Sequence, residues 1–154
     1  MSQVKEKQGQ LVLIEKAAQH FDLHLQPRYE LDLKFIIVKE HPDAELKMLF
    51  MEIFHPFDYH PQAVLFYMQT NNLQTIITNG AGKVVFDLEN RTIIFSGYSK
   101  SFGNFCPKDV LAITTIFWPE FKIRFENMPG SADEIAISGK ISSIKEIAAL
   151  IDRA

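Results

Sequence analysis

The clearest structural signal in this chain is the stretch TIITNGAGKVVFDLENRTIIF, residues 75–95. Three of its segments, Thr75–Thr78, Lys83–Leu88 and Thr92–Phe95, are rich in β-branched and aromatic residues. They are separated by Asn79-Gly80-Ala81-Gly82 and by Glu89-Asn90-Arg91. Short segments of this composition, bounded by Gly and Asn, are typical of strands joined by tight turns. The stretch therefore predicts a meander of three strands.

Further strands are predicted on both sides of this stretch. The segment Leu31–Val38 (LDLKFIIV) alternates and then runs apolar, and the turn signal His41-Pro42-Asp43 separates it from a second apolar segment, Lys47–Phe54. These two segments predict an antiparallel strand pair. Downstream, Phe121–Phe125 alternates with charged residues, and Glu134–Ile137 resembles one more strand.

Four segments have the patterns of helices. Apolar residues recur with a helical period from Leu11 to Phe21. Residues 63–68 suit either a strand or a helix, and we favour a helix over Pro61–Thr70 because proline is favoured at the first helical position. A third helix is expected between Pro107 and Pro119. The last helix begins with the capping-box spacing Ser143-x-x-Glu146.

No repeat, linker or low-complexity segment divides the 154 residues, and a chain of this length can bury one core. We predict a single domain of the α/β (α+β) class over residues 1–154. Its sheet is expected to be mixed and mostly antiparallel, with about six strands and helices packed on its faces. An N-terminal helix at about residues 10–22 and a C-terminal strand-helix extension at about residues 132–153 complete this prediction.

Composition excludes several classes of protein. Apolar residues make up 47% of the chain and charged residues 23%, which is unlike a disordered chain, and no stretch approaches the roughly 18 apolar residues that span a bilayer. A single cysteine, Cys106, agrees with a reducing compartment, so we expect a soluble, cytoplasmic protein. The net charge of -3 gives no global attraction to nucleic acid or to an anionic membrane, and the 13 Phe are interpreted as core.

The five histidines are the first candidates for chemistry. His20 and His24 are one helical turn apart, while His55 and His60 flank Asp58. A metal site needs three or four converging ligands, and the sequence supplies no matched third ligand. We therefore expect no metal site, and surface or capping roles for most of these histidines.

Two glycine-containing segments could bind an anion. NGAGK, residues 79–83, joins two predicted strands and lacks the GxxxxGK[ST] pattern, so a hairpin turn is the better interpretation. GYSKSFG, residues 97–103, leaves a strand and carries Ser99, Lys100 and Ser101 between glycines. Successive amides, hydroxyls and a lysine in such a loop can hold an anion, although an ordinary flexible loop has the same composition.

His60 stands just before the helix expected to begin at Pro61. The positive end of a helix favours a bound phosphate, and imidazole suits proton transfer or nucleophilic attack near neutral pH. A histidine at this position also suits a plain helix cap.

In order and spacing, these pieces resemble the protein histidine phosphatase family, also called the Janus/Ocnus family. The resemblance covers about 95 residues, roughly Leu31–Asn127, and its most specific part is GYSxxFG. The segments that carry it are LKFIIVKEH (33–41), DYH (58–60), GAGKV (80–84), TIIFSGYSKSFG (92–103) and WPEFKI (118–123).

The resemblance implies a compact α/β core at about residues 31–127 that hydrolyses phosphohistidine without a metal or organic cofactor. The implied partner is a phosphorylated protein or a small phosphoramidate, with no nucleic acid or membrane. His60 takes the place of the catalytic histidine, as a general base or a nucleophile. The implied phosphate- and substrate-binding residues are Lys34, Tyr59, Lys83, Tyr98, Ser99, Lys100 and Ser101.

Three departures from the family pattern bear on activity. Pro61 has no amide to offer a phosphate, Lys83 replaces an arginine and loses its bidentate geometry, and Lys100 adds a cation where an apolar residue is common. Two alternatives to a hydrolase therefore stay open. One is a catalytically inactive phosphate- or phosphoprotein-binding module, and the other is a protein-interaction scaffold.

Overall fold

The computed structural model describes residues 11–14, 16–17, 30–51, 60–126 and 140–152. These ranges contain seven strands and three helices. The strands are β1 (Leu11–Leu13), β2 (Glu30–Lys39), β3 (Lys47–Met51), β4 (Thr75–Asp87), β5 (Thr92–Ser96), β6 (Lys122–Glu126) and β7 (Lys140–Ser143). The helices are α1 (His60–Thr70), α2 (Pro107–Phe117) and α3 (Ile144–Asp152). No helix in the described ranges is long and apolar enough to cross a membrane.

All seven strands belong to one sheet. Six of them follow the order β1-β3-β2-β4-β5-β6, and β7 pairs with the first part of β4. Neighbouring strands run antiparallel except β5 and β6, which are parallel. The predicted class, a mixed and mostly antiparallel sheet with helices, is confirmed, with seven described strands instead of about six.

The predicted turn at Asn79-Gly80-Ala81-Gly82 is wrong, because these residues lie inside the 13-residue strand β4. The three-stranded meander is therefore wrong as well, and only its second half, the β4–β5 hairpin, is observed. The glycines allow a close approach of main chains instead of a reversal. A Cβ on Gly80 would lie 2.3 Å from the carbonyl oxygen of Asn104, and the amide of Ala81 donates to the carbonyl of Gly103.

The predicted N-terminal helix over residues 10–22 is wrong at its start. Leu11–Leu13 form strand β1, which pairs with the free edge of β3 and buries Val12. Main-chain pairing with a distant strand thus overrides the local helical period. Ile14, Lys16 and Ala17 are helical, and residues 18–22 lie outside the described part of the chain.

Of the predicted C-terminal strand and helix, the helix is confirmed as α3. In α3 the amide of Ser143 donates to Glu146 Oε1 at 2.8 Å, and the amide of Glu146 donates to Ser143 Oγ at 3.1 Å, as a capping box requires. The helices expected over Pro61–Thr70 and after Pro107 are observed as α1 and α2. The strand predicted at 134–137 lies outside the described residues, and β7 was not predicted.

The sheet separates two apolar layers. One layer, between the sheet and α2, is aromatic, and its T-shaped pairs include Phe35 with Phe95 and Phe35 with Phe105, both with centroids 5.0 Å apart. The other layer, under α1 and α3, is mainly aliphatic. Its buried residues include Ile36, Val38, Leu49, Met51, Ala63, Val64, Met68 and Ile147. The interpretation of phenylalanines as core is confirmed for those in the first layer.

Candidate functional site

Two lysines face each other on the central strands of the sheet. Lys34 on β2 pairs with Lys83 on β4, and Lys83 pairs in turn with Ser96 on β5. Directly paired residues share a face, and Ile36 and Ala81, two positions further along, pack in the layer under α1. The two lysines therefore lie on the α1 face. Like charges placed opposite each other destabilise a sheet, which makes this row a candidate anion site.

His60 is the first residue of α1 and is only 6% exposed. Its Nε2 lies 3.1 Å from the carbonyl oxygen of Gly82. Because a carbonyl oxygen only accepts, Nε2 carries the hydrogen and Nδ1 carries the lone pair of the neutral ring. Gly82 has no room for a side chain, since a Cβ there would lie 2.5 Å from the carbonyl oxygen of Ser96.

The surroundings of His60 keep its ring uncharged. Burial is the largest cause and lowers the pKa of His60 from 6.5 to about 4. Hydrogen bonds with the main chain of Gly82 and of Phe35 oppose this change, and the positive charges of Lys34 and Lys83 reinforce it. At neutral pH His60 is therefore a neutral imidazole with one unshared electron pair, the form that can act as a base or a nucleophile.

Helix α1 is tied to the β2–β3 hairpin at Tyr67, about two turns after His60. The hydroxyl of Tyr67 donates to Glu40 Oε2 at 2.5 Å, and Lys47 Nζ lies 3.0 Å from the same oxygen. Burial and the Glu40 carboxylate raise the pKa of Tyr67 to about 12, so the hydroxyl stays protonated and continues to donate. This cluster fixes the helix whose first residue is His60.

The loop from Gly97 to Gly103 is closed by its own hydrogen bonds. Both glycines have positive φ, +73° and +80°. Ser99 exchanges two main-chain hydrogen bonds with Gly103, at 3.2 and 2.8 Å. The hydroxyl oxygen of Ser99, a buried residue, also accepts from the amides of Ser101 and Phe102, each at 3.2 Å. These hydrogen bonds within the loop determine its conformation.

These bonds change what the loop offers to an anion. The amides of Ser101 and Phe102 are engaged by Ser99, so the predicted row of successive free amides is shorter than expected. The Ser99 hydroxyl accepts at its oxygen and keeps its hydrogen for donation. Within the described residues the Lys100 amide has no protein partner, which leaves one main-chain donor at the tip of the loop.

The row of lysines, His60 and the loop meet at one cleft of about 160 Å³. Every residue predicted for the site lines this cleft except Tyr59, which lies outside the described residues. No acidic side chain from the described ranges lines it. The lining residues are Lys34, His60, Pro61, Lys83, Tyr98, Ser99, Lys100 and Ser101.

A second cleft of about 420 Å³ adjoins the first and shares Lys83, Tyr98 and Lys100 with it. Its other lining residues, Ser96 and Gly97, were not predicted as part of the site. The sequence signal for Ser96 is its position at the end of a strand, but only the register shows that it stands opposite Lys83. Among the described residues, no three His, Cys, Asp or Glu side chains are grouped as a metal ion requires.

Comparisons with models of protein families and with curated proteins find no match to this chain. The resemblance to the protein histidine phosphatase family therefore stays a prediction.

Proposed function

We propose that this chain is a phosphatase that hydrolyses phosphohistidine or a related phosphoramidate, as a divergent member of the protein histidine phosphatase family. The observation that supports this proposal most strongly is a buried, neutral His60 in one small cleft with Lys34 and Lys83. A phosphoryl group spreads negative charge over its oxygens in the transition state, and fixed cations and hydroxyls stabilise that charge. The family resemblance supplies the substrate class and the absence of a cofactor.

As a nucleophile, His60 uses the ring nitrogen that is not bonded to Gly82. That nitrogen forms a bond to phosphorus while the P–N bond of the substrate breaks, and the leaving nitrogen takes up a proton from solvent water, which the attacking water of the next step restores. Water then attacks the phosphorus of phosphorylated His60, releasing inorganic phosphate and the free imidazole. The hydrogen bond from Nε2 to the Gly82 carbonyl fixes the tautomer that this route needs.

As a general base, His60 removes a proton from water while the water oxygen attacks phosphorus directly. The P–N bond breaks in the same step, and His60 afterwards returns the proton to the leaving nitrogen. Both routes need a neutral ring and positive charge near the phosphoryl oxygens. Acid quenching followed by detection of phosphorylated His60 separates them, because only the nucleophilic route forms that species.

Variants at two histidines test the hydrolase proposal. We expect phosphate release from a phosphohistidine protein and from a small phosphoramidate, with a loss of at least about 100-fold in His60→Ala. His41→Ala is the matched control, because His41 is exposed in the β2–β3 turn and does not line the cleft. Equal rates in the wild type and His60→Ala would refute the proposal, as would no release by the wild type.

A phosphate- or phosphoprotein-binding module is the second candidate, and two observations favour it. Pro61 brings no amide to the first turn of α1, and Ser99 engages the amides of Ser101 and Phe102. This candidate predicts binding of phosphate or a stable phosphohistidine analogue without turnover. Lys34→Ala weakens that binding, whereas Lys108→Ala, an exposed lysine on α2 outside both clefts, leaves it unchanged.

The proposal places this activity in the cytoplasm. The only cysteine of the chain, Cys106, is free and half-buried, which suits a reducing compartment. The proposed partner is a phosphorylated protein or a small phosphoramidate.

A further inference from the structure

The second cleft adds space and a lysine-lined wall beyond the cleft at His60, where the phosphoryl group is proposed to bind. It is more than twice the volume of the cleft at His60, about 420 against about 160 Å³. Lys83 and Lys100 line both clefts, so each lysine can interact with a group on either side. Tyr98, a residue that is 53% exposed, adds an aromatic surface beside them.

The main chain at Lys100 is held by the loop that carries it. The main-chain bonds between Ser99 and Gly103 close the loop, and Phe102, next but one to Lys100, is buried in the layer under α1. Lys100 itself is exposed at the tip. Because the main chain there is already ordered, an anion that binds Lys100 has to restrict only its side chain.

The cations around the second cleft are not neutralised by its lining. Within the described ranges, its walls carry two lysines, a serine, a glycine and a tyrosine, and no carboxylate. Glu126 on β6 pairs with Ser96 on β5. Its carboxylate forms an ion pair with Arg124 and does not line the second cleft. An anion in the second cleft would therefore meet lysines with no competing carboxylate among the lining residues.

From this arrangement we infer that the site takes a phosphoramidate that carries a second anionic group, with the phosphoryl group in the cleft at His60 and a carboxylate in the second cleft. The inference rests on the proposed function and adds a substrate class to it. The carboxylate comes from an acidic side chain beside the phosphohistidine in a peptide, or from a small phosphorylated amino acid. Lys100 is the residue that discriminates between carboxylate-bearing and neutral substrates.

Two pairs of substrates test this inference. One pair is a phosphohistidine peptide with Asp at both flanking positions and the same peptide with Asn. The other pair is phosphoarginine and its decarboxylated analogue, phosphoagmatine. We expect kcat/KM to be about 5-fold higher for the carboxylate-bearing member of at least one pair, as one or two partly exposed ion pairs provide. The pair that shows the preference identifies the source of the carboxylate.

Lys100→Ala is expected to remove this preference, and Lys108→Ala to leave it intact. Equal kcat/KM within both pairs would overturn the inference, and so would a preference that survives in Lys100→Ala. Affinities for peptides with a stable phosphohistidine analogue, Asp-flanked and Asn-flanked, are measured in parallel. If no substrate is hydrolysed, the proposed hydrolase fails, while these affinities still decide whether Lys100 selects a second anion.

Discussion

At the scale of single residues, the site is built on two unfavourable placements. His60 is buried, and no carboxylate among the described lining residues of the cleft stabilises its protonated form. Lys34 stands opposite Lys83 on the adjacent strand. Like charges at paired positions repel each other, and burial disfavours the charged form of the imidazole. In the proposed function, a phosphoryl group in the cleft brings negative charge to both lysines and reduces this repulsion.

The burial of His60 predicts a pH-dependent stability. The unfolded chain takes up a proton at about pH 6.5, whereas the folded state does so only near the lowered pKa of about 4. The free energy of unfolding therefore falls as pH decreases from 6.5 to 4, by up to about 3 kcal/mol from this residue. Urea unfolding at several pH values measures this decrease in the free energy of unfolding. The decrease should be smaller in His60→Gln and unchanged in His41→Ala.

The opposed lysines predict a linked change in stability and binding. Lys83→Met removes one charge of the pair, so the free energy of unfolding without anions should not decrease. The same substitution should weaken phosphate binding by about 10-fold, since a hydrogen bond to a charged group is worth about 1.5–3 kcal/mol. Thermal unfolding with and without phosphate measures both quantities.

Two further variants control this experiment. Lys108→Met removes an exposed lysine outside the clefts and should leave the phosphate effect unchanged. Lys83→Arg retains the charge and adds bidentate geometry, so it should bind phosphate at least as tightly as the wild type. An undiminished phosphate effect in Lys83→Met would show that the anion binds elsewhere.

At the scale of elements, β4 determines how the site is assembled. It pairs with β2 along its length, with β7 at its start and with β5 at its end. Between β7 and β5 it receives the loop that follows β5, through the bond from Ala81 to Gly103. The strand thereby brings Lys83 and the Gly82 carbonyl next to His60 and the loop.

The close approach at Gly80 predicts a large cost for one added methyl group. Gly80 and Gly97 both have positive φ, +92° and +73°, but only a Cβ on Gly80 meets other atoms. Gly97→Ala should therefore lose about 1 kcal/mol of unfolding free energy through backbone strain. Gly80→Ala should lose about 3 kcal/mol or more, because steric overlap is added to the strain. Equal losses in urea unfolding would contradict the close approach.

The capping box of α3 predicts a smaller effect. Ser143→Ala removes the acceptor of the Glu146 amide and should lower the free energy of unfolding by about 1 kcal/mol. Thr115→Ala, at an exposed position within α2, serves as the control and should change the stability little. A loss in Ser143→Ala no larger than in Thr115→Ala would show that the cap does not contribute.

The three helices α1, α2 and α3 were predictable because their signals are local, whereas strand β1 and the long strand β4 were not. Pro61, Pro107 and the Ser143 capping box each mark a helix start within one turn of sequence. The glycines of β4 and the residues of β1 depend on distant partners, the loop after β5 and the edge of β3. The same limit applies to the site, because family motifs pointed only to the residues of the first cleft. The place of Ser96 depends on the register of β5 against β4, and the loss of two free loop amides depends on their hydrogen bonds to Ser99.

At the scale of the whole molecule, the net charge of -3 conceals a local positive site. Three lysines converge on one cleft from β2, β4 and the loop after β5, and His60 completes it from α1. The aromatic layer on the opposite face and the aliphatic layer under α1 hold these elements in place. The cleft thus lies where the central strands, one helix and one loop meet, on the α1 side of the sheet.

A crystal structure with bound phosphate tests most directly whether this cleft holds a phosphoryl group. The expected result is one anion between Lys34 and Lys83, accepting a hydrogen bond from the Ser99 hydroxyl and adjacent to the His60 ring. The same experiment on Lys83→Met should show weaker occupancy or none. An empty cleft at His60 in a crystal that binds phosphate elsewhere would contradict the assignment of every residue in the site.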